Sequence, residues 1–412
     1  MSDKIEVDLI IHGASQIIQV PKPVKGYANY SKLGCIEDGG IAINNGKIIA
    51  VDHDDIILKN YEAKRYIDVS GHTITPGLID PHNHLIYGGS REDEYEEILL
   101  GVSYEEIMKR GGGIKRTIYE TSRTSSEDLL KKTIMKLNHL LLSGVTTVEA
   151  KTGYGATVKD DVEHLSILLR VNKQPIDIIP TVLAHVVPPG IEKDKYIEEF
   201  ITYLLPQAKR LGAKFVDVFC EQSAFNVNET RKILESGKNI GLGLRIHADE
   251  FSCIGCSKLG VELGASSIDH LNYTPEEIIE LITKKEIVTT LSPLTALYIA
   301  KKMPNINALL KHDAIIALAT DHSPAVINLD MIEVINLASS YLSLPSGNLI
   351  AGVTINAAKS LGIEDHMGSL KPGTNADIVI WKIPNYRWFG YLRIRNPIHT
   401  VIKNGKILVT NE

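Results

Sequence analysis

The sequence has little that would tie it to a membrane, a nucleic acid or an oxidising compartment. No apolar run in its 412 residues reaches transmembrane length, and the start, Met-Ser-Asp-Lys, has no charged-then-apolar signal pattern. The expectation is therefore a cytoplasmic protein with no membrane partner. Basic residues are in deficit: 44 Lys and Arg face 50 Asp and Glu, a formal net charge of −6. That balance argues against a nucleic-acid-binding surface. Four cysteines, Cys35, Cys220, Cys253 and Cys256, are too few for a disulfide framework in so long a chain. Cys253 and Cys256 form a C-x-x-C, which suits half a zinc site or a redox pair. No second C-x-x-C or histidine pair is placed to complete such a zinc site, so these thiols read as buried and structural. Low-complexity segments and long linkers are absent too.

What is present is an ordinary globular composition, 44% hydrophobic and 23% charged. The length exceeds a typical single domain unless most of the chain is one large α/β barrel. The two ends resemble each other. Ile41 to Val51 reads I-A-I-N-N-G-K-I-I-A-V and Val401 to Val409 reads V-I-K-N-G-K-I-L-V. Each is an Asn-Gly turn between apolar runs, a strong hairpin signal. Val7 to Ile11, Arg65 to Val69 and Asp377 to Trp381 add strand-like runs. A small β-sandwich domain built from both termini follows, residues 1–75 and 368–412, with residues 76–367 inserted.

The inserted part alternates apolar strands with helix-length amphipathic segments such as Ser126 to Leu142, Lys195 to Leu211 and Pro275 to Lys284. Eight strand candidates are Gly77–Leu85, Val145–Lys151, Ile178–Val187, Phe215–Glu221, Leu242–Asp249, Ser267–Leu271, Ile287–Ser292 and Ile315–Asp321. Near-continuous apolar strands with helical crossovers imply a parallel sheet, and eight units suggest a (β/α)8 TIM barrel. Arg110 to Ile114, R-G-G-G-I, lacks the G-K-[ST] of a phosphate loop and reads as a flexible loop over the barrel mouth.

Catalytic residues of such barrels lie at the C-terminal strand ends. The first candidate strand ends P-H-N-H. On an extended chain, residues i and i+2 share a face, so His82 and His84 present two imidazoles together. They are either half a metal site or ordinary polar residues of a βα loop. Other ends carry Glu149, Lys151 and Tyr154; His185; Glu221; His247 and Glu250; Asp269 and His270; Asp321 and His322. Ionisable groups at most ends of one rim are hard to explain as packing, because burying them is costly unless they pair or bind metal. Three imidazoles and one carboxylate suit zinc or iron(II) better than magnesium or calcium.

The combination P-G-L-I-D-P-H-N-H-L, H-x-x-E, a strand-six His and a strand-eight Asp resembles the single-metal branch of the amidohydrolase superfamily. The strand-four lysine bridge of its dinuclear members is replaced here by Cys220 and Glu221. G-G-S-R-E-D-E-Y (Gly88 to Tyr95), Y-E-E-I-M-K-R-G-G-G-I (Tyr104 to Ile114), T-T-V-E-A-K-T-G-Y-G (Thr146 to Gly155), A-H-V-V-P (Ala184 to Pro188), D-V-F-C-E (Asp217 to Glu221) and H-A-D-E-F (His247 to Phe251) resemble the imidazolonepropionase family more closely. Two departures stand out. The family's F-N-P-G-[ST] after the strand-eight Asp is H-S-P-A-V here, His322 to Val326. Its L-P-G-T is L-S-P-L-T, Leu291 to Thr295.

The resemblance implies one divalent metal, zinc or iron(II), on His82, His84, His247 and Asp321. It implies that Asp321 and His270 orient a water and accept its proton, and that Glu250 shuttles the proton to the departing ring nitrogen. Arg91, Tyr104, Tyr154, His185, Glu250 and Ser323 are its candidates for substrate contact, Arg91 for a carboxylate tail. Without the resemblance, Arg91 reads as a surface partner of Glu92 or Glu94. His322 reads as a further polar contact or a helix-end residue. The implied reaction is hydrolysis of the cyclic amide of 4-imidazolone-5-propanoate to N-formimidoyl-L-glutamate, in histidine degradation. The alternatives are a mononuclear deaminase of a purine, pyrimidine or related cyclic amidine, a non-catalytic binding member of the fold, and a metal-dependent decarboxylase or isomerase. A homodimer is the expected assembly.

Overall fold

The computed structural model describes residues 4–172, 175–394 and 396–411. Two eight-stranded sheets organise them. The first is built from both ends of the chain: β1 (Ile5–Ile18), β2 (Cys35–Asn44), β3 (Lys47–His53), β4 (Tyr61–Asp68) and β5 (Thr73–Pro76) before the barrel, and three strands after it. The second is parallel: β6 (Leu78–Asp80), β7 (Val145–Lys151), β8 (Asp177–Ala184), β9 (Phe215–Cys220), β10 (Gly243–Ala248), β11 (Ser267–His270), β12 (Val288–Leu291) and β13 (Ile315–Leu318). β14 (Ile378–Trp381), β15 (Ile398–Lys403) and β16 (Lys406–Thr410) return to the first sheet, where β14 pairs antiparallel with β5.

The expected sandwich is one mixed sheet folded over its own core. Leu9, Ile43 and Ile48 from one end share a cluster with Ile378, Ile380 and Ile402 from the other. Both Asn-Gly hairpins form where expected. Asn45 and Gly46 have φ 50° and 72°, and Asn404 and Gly405 have 49° and 73°, the left-handed pair that a two-residue hairpin turn requires. The two turns meet: a Cβ on Gly46 would lie 2.9 Å from the Asn404 carbonyl oxygen.

The parallel sheet is the barrel. β6 to β13 pair in sequence order. The seam between β13 and β6 closes just beyond the strand ends, where Asp321 N–H donates to His82 O (3.0 Å) and His84 N–H to His322 O (2.9 Å). The crossover helices follow their sequence signals. Ser125 caps the helix Ser126–Leu142 by accepting from Asp128 N, and Leu129, Leu137, Leu140 and Leu141 are its buried leucines. Each such leucine is worth about 1.5–3 kcal/mol when removed from water. The segment from Lys195 to Leu211 instead contains a π-helical turn, Phe200–Leu204, between two short α-helices. Among the described residues, no helix is long and apolar enough to cross a membrane.

Two sequence expectations need correction. The first barrel strand stops at Asp80 rather than Leu85, because Pro81 has no N–H to continue the ladder. The thiols are not a set of buried free cysteines: Cys220 and Cys256 form a disulfide, while Cys253 is exposed and Cys35 partly buried.

Candidate active site

His82 and His84 lie just past β6 on extended backbone, so the two-residue spacing still puts both rings on one side. Both Nε2 atoms face Asp321 Oδ1, at 3.4 and 3.5 Å. His247, next to last in β10, brings its Nε2 to 3.5 Å from that of His84. A tetrahedral cation with bonds of about 2.0–2.1 Å needs ligand atoms roughly 3.3–3.4 Å apart. The separations of His82 and His84 from Asp321, and of His84 from His247, are close to that spacing. His82 Nε2 is buried without a hydrogen-bond partner, as a metal-facing donor atom would be. Donor atoms of His82, His270 and Asp321 also cluster within 4.8 Å, so His270 stands beside the same centre.

The backbone is bent to achieve this. Asp321 and His270 have φ of 49° and 77°, in the left-handed region that non-glycine residues rarely adopt. Such conformations cost about 1–3 kcal/mol each and persist where the surroundings dictate them. The seam bonds at His82 and His84 hold the first of these.

The electrostatics fit a cation. Burial and Lys151 pull the His82 imidazole down, yet Asp321 and Asp269 outweigh them and leave it raised to about 9. A centre that draws a proton so strongly is one that seeks positive charge. Burial lowers His247 to about 3 and His270 to about 4, leaving both rings neutral, the form that ligates metal or accepts a proton. Burial, then Asp321 and Glu221, push the Glu250 carboxyl well above its usual range. Glu250 is therefore biased toward its protonated form. Its Oε2 lies 3.7 Å from His270 Nε2.

Above the cluster is a cavity of about 50 Å³, lined by His84, Arg91, Tyr104, Tyr154, His185, His247, Glu250, His270, Asp321 and Ser323. Every site residue expected from the sequence is in this wall except His82, which lies buried beneath it. Arg91 is 3% exposed, so the surface-pair reading fails. Its Nη1 donates to the Tyr104 hydroxyl at 3.1 Å, and among the described residues no carboxylate lies within ion-pair distance of it. Glu94 instead accepts both ways from Gly113 N–H, at 3.0 and 3.1 Å, clasping the R-G-G-G-I turn that had read as a free loop. His322 is neither a cavity contact nor a helix end: it is fully buried, with Nε2 2.9 Å from the Tyr87 hydroxyl.

Sequence reasoning missed part of the wall. Thr295 donates to Asp321 Oδ2 at 2.6 Å and opens a π-helical turn, Ala296–Ala300, whose Ile299 lines the cavity. Phe251 stacks on Tyr104 with centroids 5.4 Å apart. The signal for Phe251 was its place just after Glu250. For Thr295 the signal was its place at the end of L-S-P-L-T, where the sequence departs from the family's L-P-G-T.

Residues 73–408 match the amidohydrolase family. The chain is 40% identical over 393 residues to the imidazolonepropionase of Geobacillus kaustophilus, covering 92% of each chain. It is 41% identical over 378 residues to that of Pyrobaculum arsenaticum, covering 92% of this chain and 94% of the other. Its fold is similar to that of an adenosine deaminase from Xanthomonas campestris solved with bound zinc (TM-score 0.74, 17% identity, 98% of this chain and 93% of that one). The chain belongs to the amidohydrolase family and, within it, to the imidazolonepropionases.

Proposed function

We propose that the chain hydrolyses the cyclic amide C–N bond of 4-imidazolone-5-propanoate, giving N-formimidoyl-L-glutamate in histidine degradation. The observation that carries the substrate choice is Arg91, a buried guanidinium in the cavity wall with no carboxylate of its own within ion-pair distance among the described residues. A buried cation calls for a charged partner, and a planar guanidinium matches a carboxylate in two bonds. A propionate tail supplies that partner. A purine or pyrimidine base, the substrate of the deaminase alternative, has none.

A divalent ion held by His82, His84, His247 and Asp321, zinc or iron(II) by its donor set, supplies Lewis-acid polarisation and a water acidified toward neutrality. The remaining work belongs to the side chains. Arg91 and Tyr104 bind the tail and fix the ring in register. Tyr154, His185 and Ser323 bound the ring and exclude bulk water. Asp321 and His270 orient the attacking water and take its proton. Glu250 gives its proton to the ring nitrogen as the carbonyl–nitrogen bond breaks, and recovers one from His270. Protons balance, and one water is consumed. General acid–base help of this kind is worth roughly 10²–10⁴-fold.

The same reading assigns residues 1–75 and 368–412 to one domain and 76–367 to the barrel. It makes the protein a cytoplasmic homodimer that binds neither nucleic acid nor membrane. The test is direct turnover: metal-quantified protein given imidazolone propanoate made in situ from urocanate. Loss of the imidazolone absorbance, abolished by His247→Ala and by chelation, is expected. No turnover by fully metallated protein overturns the substrate, and ammonia release from cyclic amidines then supports the deaminase.

A further inference from the structure

Below the ligand cluster the barrel core holds five charged side chains, Glu149, Lys151, Asp217, Arg245 and Asp269, all at 0% exposure. The reaction scheme above uses none of them. Lys151 Nζ lies 2.8 Å from Glu149 Oε2, 2.7 Å from Asp217 Oδ2 and 3.9 Å from Asp269 Oδ2. The two aspartates reach upward. Asp269 Oδ2 accepts from His82 Nδ1 at 2.7 Å, and Asp217 Oδ2 lies 3.0 Å from His247 Nδ1. Arg245 ties the layer together, with Nε 3.0 Å from Glu149 and Nη2 3.1 Å from Asp269, and also donates to the Pro81 carbonyl, one residue before His82.

Stability alone does not call for such a layer, since well-packed apolar residues often replace buried ion networks at no loss. What it does supply is orientation. A carboxylate on Nδ1 fixes the tautomer and ring angle and leaves the Nε2 lone pair facing the metal position. His84 lacks this device: among the described residues no carboxylate lies within ion-pair distance of its Nδ1. Lys151 is not itself a ligand, because its ammonium is spent on carboxylates and it is absent from the cavity wall.

We propose that Lys151 is the positioning residue of the metal centre: one ammonium sets both aspartates and thereby aims His82 and His247 together. This rests on the reading of His82, His84, His247 and Asp321 as the metal site.

The test is metal binding, not turnover. Full-length wild type and Lys151→Met are stripped and titrated with Zn²⁺ and with Co²⁺. Loss of an outer partner to a ligating histidine typically weakens metal affinity about 10–100-fold. Lys151→Met is expected to raise the Zn²⁺ Kd at least tenfold and to change the shape of the Co²⁺ ligand-field spectrum. The apo protein should melt lower, because the buried carboxylates lose their cation, and the rise in Tm on adding Zn²⁺ should shrink as well. Asp217→Asn combined with Lys151→Met should weaken binding less than the product of the two single effects. Unchanged Zn²⁺ affinity and Co²⁺ spectrum in Lys151→Met overturn the proposal. Failure of wild type to bind either ion overturns the underlying site instead. If Lys151→Met does not fold, the near-isosteric Asp217→Asn and Asp269→Asn carry the same test, and wild-type affinity in both overturns it.

Discussion

Arg91 is where residue-scale reasoning is most exposed to long-range packing. Its neighbours Glu92 and Glu94 offer the sequence a surface ion pair. The fold instead gives Glu94 to Gly113 and leaves Arg91 buried against Tyr104. The segment that covers it lies a dozen or more residues downstream, so no local pattern reveals the burial. The consequence is measurable. Hydrogen bonds to a charged group are worth about 1.5–3 kcal/mol, roughly 10–150-fold in binding. Arg91→Met should raise KM for the propionate substrate by that factor, with a smaller fall in kcat. Arg91→Lys should recover little, because an ammonium cannot bond a carboxylate through a planar fork. A fall in kcat at unchanged KM would place Arg91 at the reacting bond instead. The histidines were easier to read, since H-x-H spacing acts locally on extended chain and survives the early end of β6.

At the scale of elements, the loop after β10 shows how the acid is held. Asp249 Oδ2 accepts from Ser257 and Thr274 at 2.5 and 2.7 Å, with Asp249 itself at φ 55°. Asn272 Nδ2 donates to the Glu250 carbonyl at 3.2 Å. Glu221 Oε2 accepts from Phe251 N–H and Ser252 N–H at 3.0 and 3.1 Å. The Cys220–Cys256 disulfide then ties the end of β9 to the helix Cys256–Leu263. The C-x-x-C spacing drew attention to Cys253 and Cys256, and both read as buried structural thiols rather than a bridge. Cys220 meets Cys256 only because β9 and β10 are neighbours in the closed barrel, which spacing along the chain does not show. A crosslink spanning 36 residues contributes about 3–4 kcal/mol in the chain-entropy account. Cys220→Ser with Cys256→Ser should lower the thermal midpoint, and a thiol reductant should do the same to wild type but nothing further to that variant. Cys253→Ser should leave the midpoint unchanged. Insensitivity of wild type to full reduction would show that the clasp by Glu221, Asp249 and Asn272 holds the loop without the bridge. Helices were read well where cap and stripe agree, as in Ser126–Leu142. Strand ends were read too long, as with Ile178–Val187 against Asp177–Ala184, because extended βα loops keep the apolar character of the strands they leave.

For the whole molecule, the terminal strands were legible from their Asn-Gly turns, but their union with the barrel depends on a buried ion trio that no motif announces. Lys403 Nζ in β15 lies 2.5 Å from Asp177, the first residue of β8, and 2.6 Å from Asp377 just before β14. Asp377 Oδ1 also accepts from Asn404 N–H at 2.8 Å. The trio sits at the N-terminal end of a barrel strand, away from the catalytic rim, where residues serve stability. Lys403→Met leaves two buried carboxylates facing each other without their cation, a loss of about 3–5 kcal/mol. Burial already raises the Asp377 carboxyl, and loss of Lys403 raises it further. A carboxyl whose folded pKa lies above its unfolded value favours the folded state when protonated and loses that advantage as pH rises between the two. The deficit of Lys403→Met should therefore be greatest near neutral pH and shrink as pH falls toward the ordinary aspartate range. Denaturant melts across pH measure this, with kcat of the folded protein as the control, since no catalytic side chain touches the trio. A deficit independent of pH would assign the loss to packing around the lysine stem, and a fall in kcat of the folded variant would mean that the terminal sheet shapes the site.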